Sequence, residues 1–224
     1  MCNRIPLLYP RLPVRVGSYR MVAHTLDRYI ALWLWRFGRI ESFETDILAR
    51  LCQPGMVALD IGANIGYYSL LLARYVGDRG CVWAFEPDLG NFATLKRNLK
   101  ENNCTNIKAV NSAVGARSER RDLYVSRSHN GDHRIYQLQD SHRTAIPVDV
   151  VALDEFFSDT ERIDLIKMDI QGAEGMALAG MKRILRDTPQ LTILMEFWPI
   201  GLTQAGFVPE QVLTGLQSMG FILY

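Results

Sequence analysis

The sequence predicts an α/β domain in which a mostly parallel sheet is covered by helices on both faces. Three observations lead to this class. Strand-like and helix-like segments alternate from residue 41 onward, two of the early strand-like runs end in an acid, and 224 residues suffice for one substantial core. We therefore predict an N-terminal extension over residues 1–40, which we expect to be helical, and one α/β domain over residues 41–224.

The alternation can be followed along the chain by its apolar patterns. The predicted strands are, in order, VALDI, CVWAFE, IKAV, IDLIKMDI, LTILMEF and GFILY. The predicted helices cover residues 41–52, 65–76, a segment around 92–99, 173–186 and a segment around 212–219. A sheet of this type usually closes with a further antiparallel strand after GFILY, so we expect either a longer parent protein or a sheet that ends one strand short.

Two segments depart from the alternation. Residues 117–150 show period-two patterns on both sides of the polar loop SRSHNGDHRIYQ, which predicts an antiparallel excursion that is either an insertion or a lid. Residues 21–40, MVAHTLDRYIALWLWRFGRI, mix two tryptophans with three arginines. Such a segment cannot span a bilayer and could lie in a membrane interface, but we expect its aromatics to pack on the domain or on a partner.

Charge and cysteine content exclude some classes of partner and compartment. Lys and Arg total 25 against 24 for Asp and Glu, so no charge excess points to nucleic acid. The four cysteines form neither a CxxC pair nor a dense framework, which favours free thiols in a reducing compartment. Prolines interrupt the only early apolar run, so we expect no cleavable signal peptide and a cytoplasmic protein.

The segment LDIGANIGYYS, residues 59–69, indicates a nucleoside-type ligand. Asp60 ends a strand, and Gly62 and Gly66 frame a turn into a helix where the backbone can approach a ligand closely. The spacing differs from the Gly-x-Gly-x-x-Gly that holds a pyrophosphate, which argues against NAD. A carboxylate there would repel a diphosphate but attract the ammonium and sulfonium of S-adenosylmethionine (SAM).

A second acid follows the next strand. Glu86, in FEPD, can accept hydrogen bonds from both ribose hydroxyls of a nucleoside, and the third strand end supplies Ser112 and Ala113 in NSAVG as a border for adenine. Three alternatives stay open. Asp60 could simply cap the following helix, Glu86 could be an exposed surface acid, and NSAVG could be an ordinary turn.

Taken together, these motifs make the sequence resemble the FkbM-type methyltransferases. The resemblance rests on LDIGANIGYYS, FEPD, NSAVG, IPVDVVALDEFF, KMDIQGAE and MEF in this order. It implies a Rossmann-like SAM-dependent methyltransferase fold and O-methylation of sugars, glycolipids or natural-product hydroxyls. The chain departs from the family at Gln171, where an acid is common. The cofactor-binding residues we predict are Asp60, Gly62, Ala63, Asn64, Gly66, Glu86, Pro87, Ser112, Ala113 and Asp169.

Transfer of a methyl group to an alcohol needs a base in reach of the hydroxyl or a metal that lowers its pKa. Asp169 ends the fourth parallel strand beside the expected methyl group, with Lys167 two residues earlier on the same face. Asp169 is our first choice as base or metal ligand, and Glu196 at the end of the next strand could form a carboxylate pair with it. His133 in the polar loop is the alternative base.

Other functions remain open at this stage. Asp169 and Glu196 could bind Mg²⁺, as in catechol-type O-methyltransferases, although two acids make a sparse site. A nitrogen acceptor is disfavoured, because no Asn-Pro-Pro-Tyr-type tetrapeptide follows the fourth strand. A module that binds SAM without turnover is a further alternative. We expect a small-molecule or saccharide acceptor, and an exposed GFILY edge would favour a homodimer.

Overall fold

A computed structural model describes residues 11–24, 28–126, 131–138 and 143–224. Its elements are, in chain order, β1 (Arg11–Val16), β2 (Tyr19–His24), α1 (Arg28–Phe37), α2 (Ser42–Leu51), β3 (Val57–Ile61), α3 (Tyr67–Val76), β4 (Cys81–Phe85), α4 (Leu89–Glu101), β5 (Ile107–Val110), β6 (Ala113–Val114), β7 (Glu119–Val125), β8 (Thr144–Val151), α5 (Leu153–Phe156), β9 (Leu165–Met168), α6 (Glu174–Ala179), α7 (Lys182–Asp187), β10 (Thr192–Met195), α8 (Pro199–Gln204) and α9 (Pro209–Ser218).

The central sheet has five parallel strands in the order β10-β9-β3-β4-β5. The chain runs outward from β3 through β4 to β5, then returns to the other side of β3 with β9 and β10. The order therefore reverses between β3 and β9, and ligands of open α/β sheets bind at such a switch point, beyond the carboxyl ends of the strands. The register pairs Asp60 with Lys167 and Ile61 with both Phe85 and Met168, so the ends of β3, β4 and β9 lie side by side.

Apolar cores cover both faces of this sheet. One core joins α3 and α4 to the sheet through side chains such as Leu70, Leu72 and Leu95. The other joins α5, α6, α7 and α9 to the opposite face, around Phe85 and Ile166. The predicted α/β class, with a mostly parallel Rossmann-like sheet between helices, is confirmed.

A second, three-stranded sheet of order β6-β8-β7 forms the insertion. The strands β7 and β8 pair antiparallel, which confirms the antiparallel excursion predicted between residues 117 and 150. Of the polar loop between them, residues 131–138 are described, and Arg134 pairs with Tyr124 of β7 through the backbone. Residues 127–130 and 139–142, which include His129 of the loop, lie outside the described residues.

The helical prediction for the N-terminal extension is wrong for residues 11–24. They form the β1-β2 hairpin. In β1, Val14 and Val16 alternate with exposed residues and are buried, and in β2 Met21, Val22 and Ala23 are all buried against the domain. Among the described residues of the extension, only α1 is helical. None of the described helices is long and apolar enough to cross a membrane.

The predicted last strand, GFILY, does not form either. Gly220 has a φ of +95°, and the Phe221 backbone N–H donates to the Leu216 carbonyl, a pattern that ends α9 and turns the chain away. Residues 221–224 run on without strand pairing, and Ile222 and Tyr224 are exposed. Among the described strands, β10 is therefore one edge of the sheet, and β5 is the other.

The predicted helix over residues 173–186 is split into α6 and α7. The carboxylate of Asp154 accepts hydrogen bonds from the Arg183 and Ile184 backbone N–H groups at 2.7 and 3.1 Å, which caps α7 as a separate helix. Helix α8, which leads from β10 toward α9, is an element the sequence patterns did not predict.

Candidate active site

The glycine turn after β3 lies directly against the turn after β9. Gly62 has a φ of +85°, and a Cβ atom there would come within 2.0 Å of the Asp169 carbonyl oxygen. The Gly62 and Ala63 backbone N–H groups both donate to the Phe85 carbonyl at the end of β4. Only glycine fits this close approach. The turn therefore brings the ends of β3, β4 and β9 together around one crevice.

Glu86 lies at the rim of this crevice and is buried, with 5% of its surface exposed. The alternative that Glu86 is an exposed surface acid is therefore wrong. Its two carboxylate oxygens accept one backbone hydrogen bond each, from Asn64 N–H at 2.8 Å and from Asp88 N–H at 2.9 Å. Burial raises the pKa of Glu86 to about 7, although both hydrogen bonds act in the opposite direction. The Asn91 side chain also hydrogen-bonds to this carboxylate, which leaves one of its four lone pairs for a ligand.

Two cavities meet at this point. The first, of about 60 Å³, lies between the strand ends and the insertion, whose Leu123, His133 and Ile135 close over it. The second, of about 420 Å³, lies between the strand ends and the N-terminal helices, where Trp33 and Tyr68 form apolar walls and Glu41 and Lys167 are polar. The residues that line both are Gly62, Asn64, Gly131, Asp169 and Gln171.

The predicted site residues divide between these cavities. The first cavity is lined by Gly62, Asn64, Glu86, Pro87, Ser112, Ala113, His133 and Asp169. The second cavity is lined by Gly62, Ala63, Asn64, Lys167 and Asp169. Three predicted residues line neither cavity, namely Asp60, Gly66 and Glu196.

Asp60 is fully buried behind the glycine turn. It accepts a hydrogen bond from the Ser69 hydroxyl of α3 at 2.5 Å, and its other oxygen has no hydrogen-bond partner among the described residues. Burial raises the pKa of Asp60, while the charge of Lys167 opposes that change. Asp60 thus ties β3 to α3 through the Ser69 side chain but does not cap that helix, whose N-cap is Gly66. It interacts with Lys167 through charge.

Lys167 is buried on β9 with its ammonium between acids and an aromatic ring. The Nζ atom lies 3.8 Å from the Asp169 carboxylate and 4.4 Å from the centre of the Tyr68 ring. Burial disfavours its charge, yet the nearby carboxylates of Asp169 and Asp60 raise the pKa of Lys167 overall. It therefore acts as a fixed cation rather than as a base.

Asp169 and Glu196 are joined through Gln171, a contact that the sequence did not predict. The Gln171 Nε2 atom lies 2.8 Å from Asp169 Oδ1 and 3.3 Å from Glu196 Oε2. Glu196 lies at the rim, where partial burial and the charge of Asp169 raise its pKa to about 8. The two carboxyl groups thus form a pair, as predicted, but an amide connects them.

The turn that carries Gln171 is held from several sides. Gln171 has a φ of +56°, which is strained for a residue with a side chain, and its carbonyl accepts a hydrogen bond from the Tyr136 hydroxyl at 2.7 Å. The buried Glu174 carboxylate accepts from the Ile170 and Gly172 N–H groups at 3.0 and 3.3 Å. Glu174 is therefore a structural residue that shapes this turn.

His133 stands on the side of the first cavity. Its Nδ1 atom accepts a hydrogen bond from the Ser126 backbone N–H at 3.2 Å, so the neutral ring carries its proton on Nε2. Burial lowers the pKa of His133. A hydrogen bond with the Asp132 backbone opposes this lowering. With Nδ1 already accepting from the Ser126 N–H, the ring suits ligand binding better than proton removal.

The donor set at the strand ends does not match a Mg²⁺ site. Among the described residues, no group of three or more His, Cys, Asp or Glu side chains could hold a metal ion. Around Asp169 and Glu196, the additional groups are the Gln171 amide nitrogen, which donates a hydrogen bond, and the Lys167 ammonium. Nothing therefore supports the Mg²⁺ alternative.

Sequence comparisons agree with this geometry. The profile of the methyltransferase FkbM domain matches residues 60–223, which is most of the chain. A 2-O-methyltransferase, NoeI of Sinorhizobium fredii, is 30% identical over 159 residues, or 63% of this chain and 64% of that protein. Methyltransferase 1 of Beauveria bassiana is 28% identical over 145 residues, or 55% of this chain and 57% of that protein. The chain thus matches less than two thirds of either relative.

Solved structures show the same fold. Methyltransferase FkbM from Methylobacillus flagellatus superposes with a TM-score of 0.52 at 20% identity, over 80% of this chain and 45% of that one. The precorrin-6y C5,15-methyltransferase of Geobacter metallireducens superposes with a TM-score of 0.50 at 15% identity, over 84% of this chain and 76% of that one. The glycine turn, the acids at neighbouring strand ends and the matching profile together identify the chain as a methyltransferase of the FkbM family.

Proposed function

We propose that this enzyme transfers the methyl group of SAM to a hydroxyl of a small molecule or saccharide. The observation that carries the proposal is the meeting of two cavities at Gly62, Asn64, Asp169 and Gln171. One cavity offers a carboxylate suited to ribose, and the other offers a carboxylate and a cation suited to an acceptor. A methyl group carried on a sulfonium would lie between them.

In this proposal the adenosine part of SAM occupies the first cavity. The Glu86 carboxylate already accepts hydrogen bonds from the Asn64 and Asp88 backbone N–H groups and from the Asn91 side chain, and its remaining lone pair would accept a ribose hydroxyl. Ser112 and Ala113 border the same cavity and would contact the adenine. The cavity is narrower than a nucleoside, so we expect the segment around His133 and Ile135 to move outward when SAM binds.

The acceptor would enter the second cavity, where its hydroxyl oxygen attacks the methyl carbon. The new C–O bond forms as the C–S bond of SAM breaks, and the hydroxyl proton passes to Asp169. Gln171 and Lys167 hold the Asp169 carboxylate in place by a hydrogen bond and an ion pair. Much of the catalysis would come from this alignment, because methyl displacement is sensitive to the angle of attack.

Three observations favour an oxygen acceptor over the alternatives. The relative NoeI is named a 2-O-methyltransferase. The second cavity combines the rings of Trp33 and Tyr68 with charged side chains, a mixture suited to a polar molecule with apolar faces. A protein that binds SAM without transferring its methyl group would not need a buried lysine paired with Asp169 where the two cavities meet.

Calorimetry tests the cofactor assignment. We expect SAM and S-adenosylhomocysteine to bind the protein and NAD not to bind. Glu86→Ala removes the acceptor for the ribose and should weaken SAM binding by about 1 to 3 kcal/mol, the scale of hydrogen bonds to a charged group. Glu210→Ala, at an exposed acid of α9, is the matched control and should bind SAM normally. Equal affinities for SAM in both variants would overturn the assignment.

A further inference from the structure

The segment 131–138 of the insertion contacts two parts of the molecule. His133 and Ile135 line the first cavity and close it on one side. Arg134 and Tyr136, which alternate with them, line neither cavity. They are buried instead, and they contact α8 and the turn after β9. One short segment therefore covers the proposed cofactor site and also touches the elements beside the proposed acceptor site.

Arg134 connects this segment to α8. Its side chain is 9% exposed, its Nη1 atom lies 3.0 Å from Gln204 Oε1, and its guanidinium carbon lies 4.8 Å from the centre of the Trp198 ring. Its Nε atom donates to Asp132, at 2.8 Å, within the same segment. Movement of the segment away from α8 would break the contacts with Gln204 and Trp198 but keep the ion pair. Opening therefore avoids the large cost of an unpaired buried charge.

Tyr136 connects the same segment to the turn after β9. Its hydroxyl donates to the Gln171 carbonyl at 2.7 Å, and a Cβ atom at Gly172 would come within 2.6 Å of that hydroxyl. The strained backbone of Gln171 depends on such contacts to keep its conformation. The Gln171 amide nitrogen lies 2.8 Å from Asp169 Oδ1. A displacement of Tyr136 therefore reaches the Asp169 carboxylate through one residue.

The size of the first cavity requires its cover to move. The cavity has a volume of about 60 Å³, whereas ligand sites usually measure about 300 Å³ or more. Its other walls include the ends of β3, β4 and β9, which the central sheet holds in place. His133 and Ile135 must therefore give way to a nucleoside. Arg134 and Tyr136 belong to the same stretch of backbone and would move with them.

We propose that the segment 131–138 is a latch, which closes the cofactor cavity in the free enzyme and releases the Gln171 turn when SAM enters. The inference rests on the cofactor assignment proposed above. Arg134 would leave α8 and Tyr136 would leave the turn in one movement, because only one residue separates them. Binding of SAM would thus change the surroundings of Asp169, which couples the two cavities. The closed latch also lowers the apparent affinity for SAM, since only the open fraction can bind.

Binding of S-adenosylhomocysteine to variants of the latch tests the proposal. Arg134→Gln removes the stacked charge, and Tyr136→Phe removes only the hydroxyl that contacts the turn. Both variants should associate with S-adenosylhomocysteine faster and bind it about fivefold tighter or more, because a larger fraction of the free enzyme is open. Stopped-flow measurements and calorimetry give the two quantities. Arg183→Gln, which breaks similar hydrogen bonds in α7, and Tyr75→Phe, at a partly buried tyrosine of α3, are the matched controls.

Hydrogen exchange without any cofactor tests the coupling separately. In Arg134→Gln, the backbone amides of the latch and those of the turn 170–173 should both exchange several-fold faster than in the wild type, because the two regions open together. In Arg183→Gln, the amides of both regions should keep their wild-type rates. Circular dichroism of each variant checks that it is folded.

The possible failures can be told apart. Faster exchange of the latch alone, with the turn unchanged, would overturn the coupling. Unchanged or weaker binding of S-adenosylhomocysteine by either latch variant would overturn the role of the latch in closing the cavity. If the wild type does not bind S-adenosylhomocysteine at all, the cofactor assignment fails instead, and the exchange rates still decide whether the latch and the turn are coupled.

Discussion

The two cavities of this enzyme are built in different ways. The polar groups of the first come mainly from turns that directly follow neighbouring strands, and backbone N–H groups hold its central acid, Glu86. The second shares the glycine turn, but its walls come from α1, from the connection between α1 and α2, from α3 and from β9, which lie far apart in the sequence. The first is therefore specified by local turns, whereas the second depends on how distant elements pack.

This difference fits a division of labour. A cofactor of constant shape suits a site fixed by main-chain geometry, whereas an acceptor site lined by helix side chains can be altered without disturbing the sheet. Asp169 and Gln171 border both cavities, so they are the residues through which the two sides must cooperate. Substitutions can separate the two sides experimentally.

The largest effect should come from Asp169→Asn, which keeps the shape of the side chain and removes its charge. If Asp169 accepts the hydroxyl proton, the rate of methyl transfer should fall by about 10²- to 10⁴-fold. Affinity for SAM should stay nearly unchanged, because the proposed cofactor site relies on Glu86 and the glycine turn instead. Single-turnover kinetics and calorimetry on the same sample measure both quantities.

Loss of SAM binding in Asp169→Asn would instead assign this residue to the cofactor side. A normal rate would mean that the base is elsewhere, with Glu196 and then His133 as the next candidates. EDTA should leave the wild-type rate unchanged. Activity that EDTA removes and Mg²⁺ restores would contradict the interpretation of Asp169 as a base.

A second, smaller effect concerns pH and the first cavity. Burial raises the pKa of Glu86 from 4.5 to about 7, so its contribution to folding stability is fully present below pH 4.5 and is lost as the pH rises through about 7.

Ribose hydroxyls donate hydrogen bonds best to the charged form of Glu86. Affinity for SAM should therefore fall as the pH drops below about 7, by up to about tenfold per unit.

Calorimetry in buffers of different ionisation enthalpy checks the pH effect, since binding at pH 6 should release a proton from Glu86. Glu86→Ala should bind SAM weakly and without this proton release. Proton release that persists in Glu86→Ala would place the titrating group elsewhere, with His133 in the same cavity as the first candidate.

The sequence predicted the first cavity better than the second. Asp60 and Glu86 could be recognised because each acid lies at the end of a strand, although Asp60 proved to be a buried link to α3. The contributions of Glu41 and Tyr68 could not be predicted, because they depend on the packing of α2 and α3 around β9. Local patterns reveal turns after strands, but not which distant side chains share a cavity.

The same limit explains the errors in the fold. The alternation in residues 11–24 was visible, but the hairpin is stable only because its apolar face packs on the domain. GFILY has the composition of a strand, yet Gly220 ends α9 and redirects the chain before pairing can occur. Composition alone could not decide between these outcomes.

The smallest effect, and the most specific one, should come from Gln171→Ala. The Gln171 amide donates to Asp169 and also lies within 3.3 Å of the Glu196 carboxylate, so it stabilises the charged forms of both acids. Its loss should raise the pKa of Glu196 further above its ordinary value. The rate of methyl transfer should then fall by a few-fold, up to about tenfold, on the acidic side of the pH profile and change less on the alkaline side.

Gln211→Ala, on the surface helix α9, is the matched control. Gln171→Glu should shift the profile in the same direction and further, because it adds a like charge to the pair. A uniform loss of rate at every pH would mean that Gln171 only supports the strained turn, and a profile unchanged in both variants would contradict its role between the two acids.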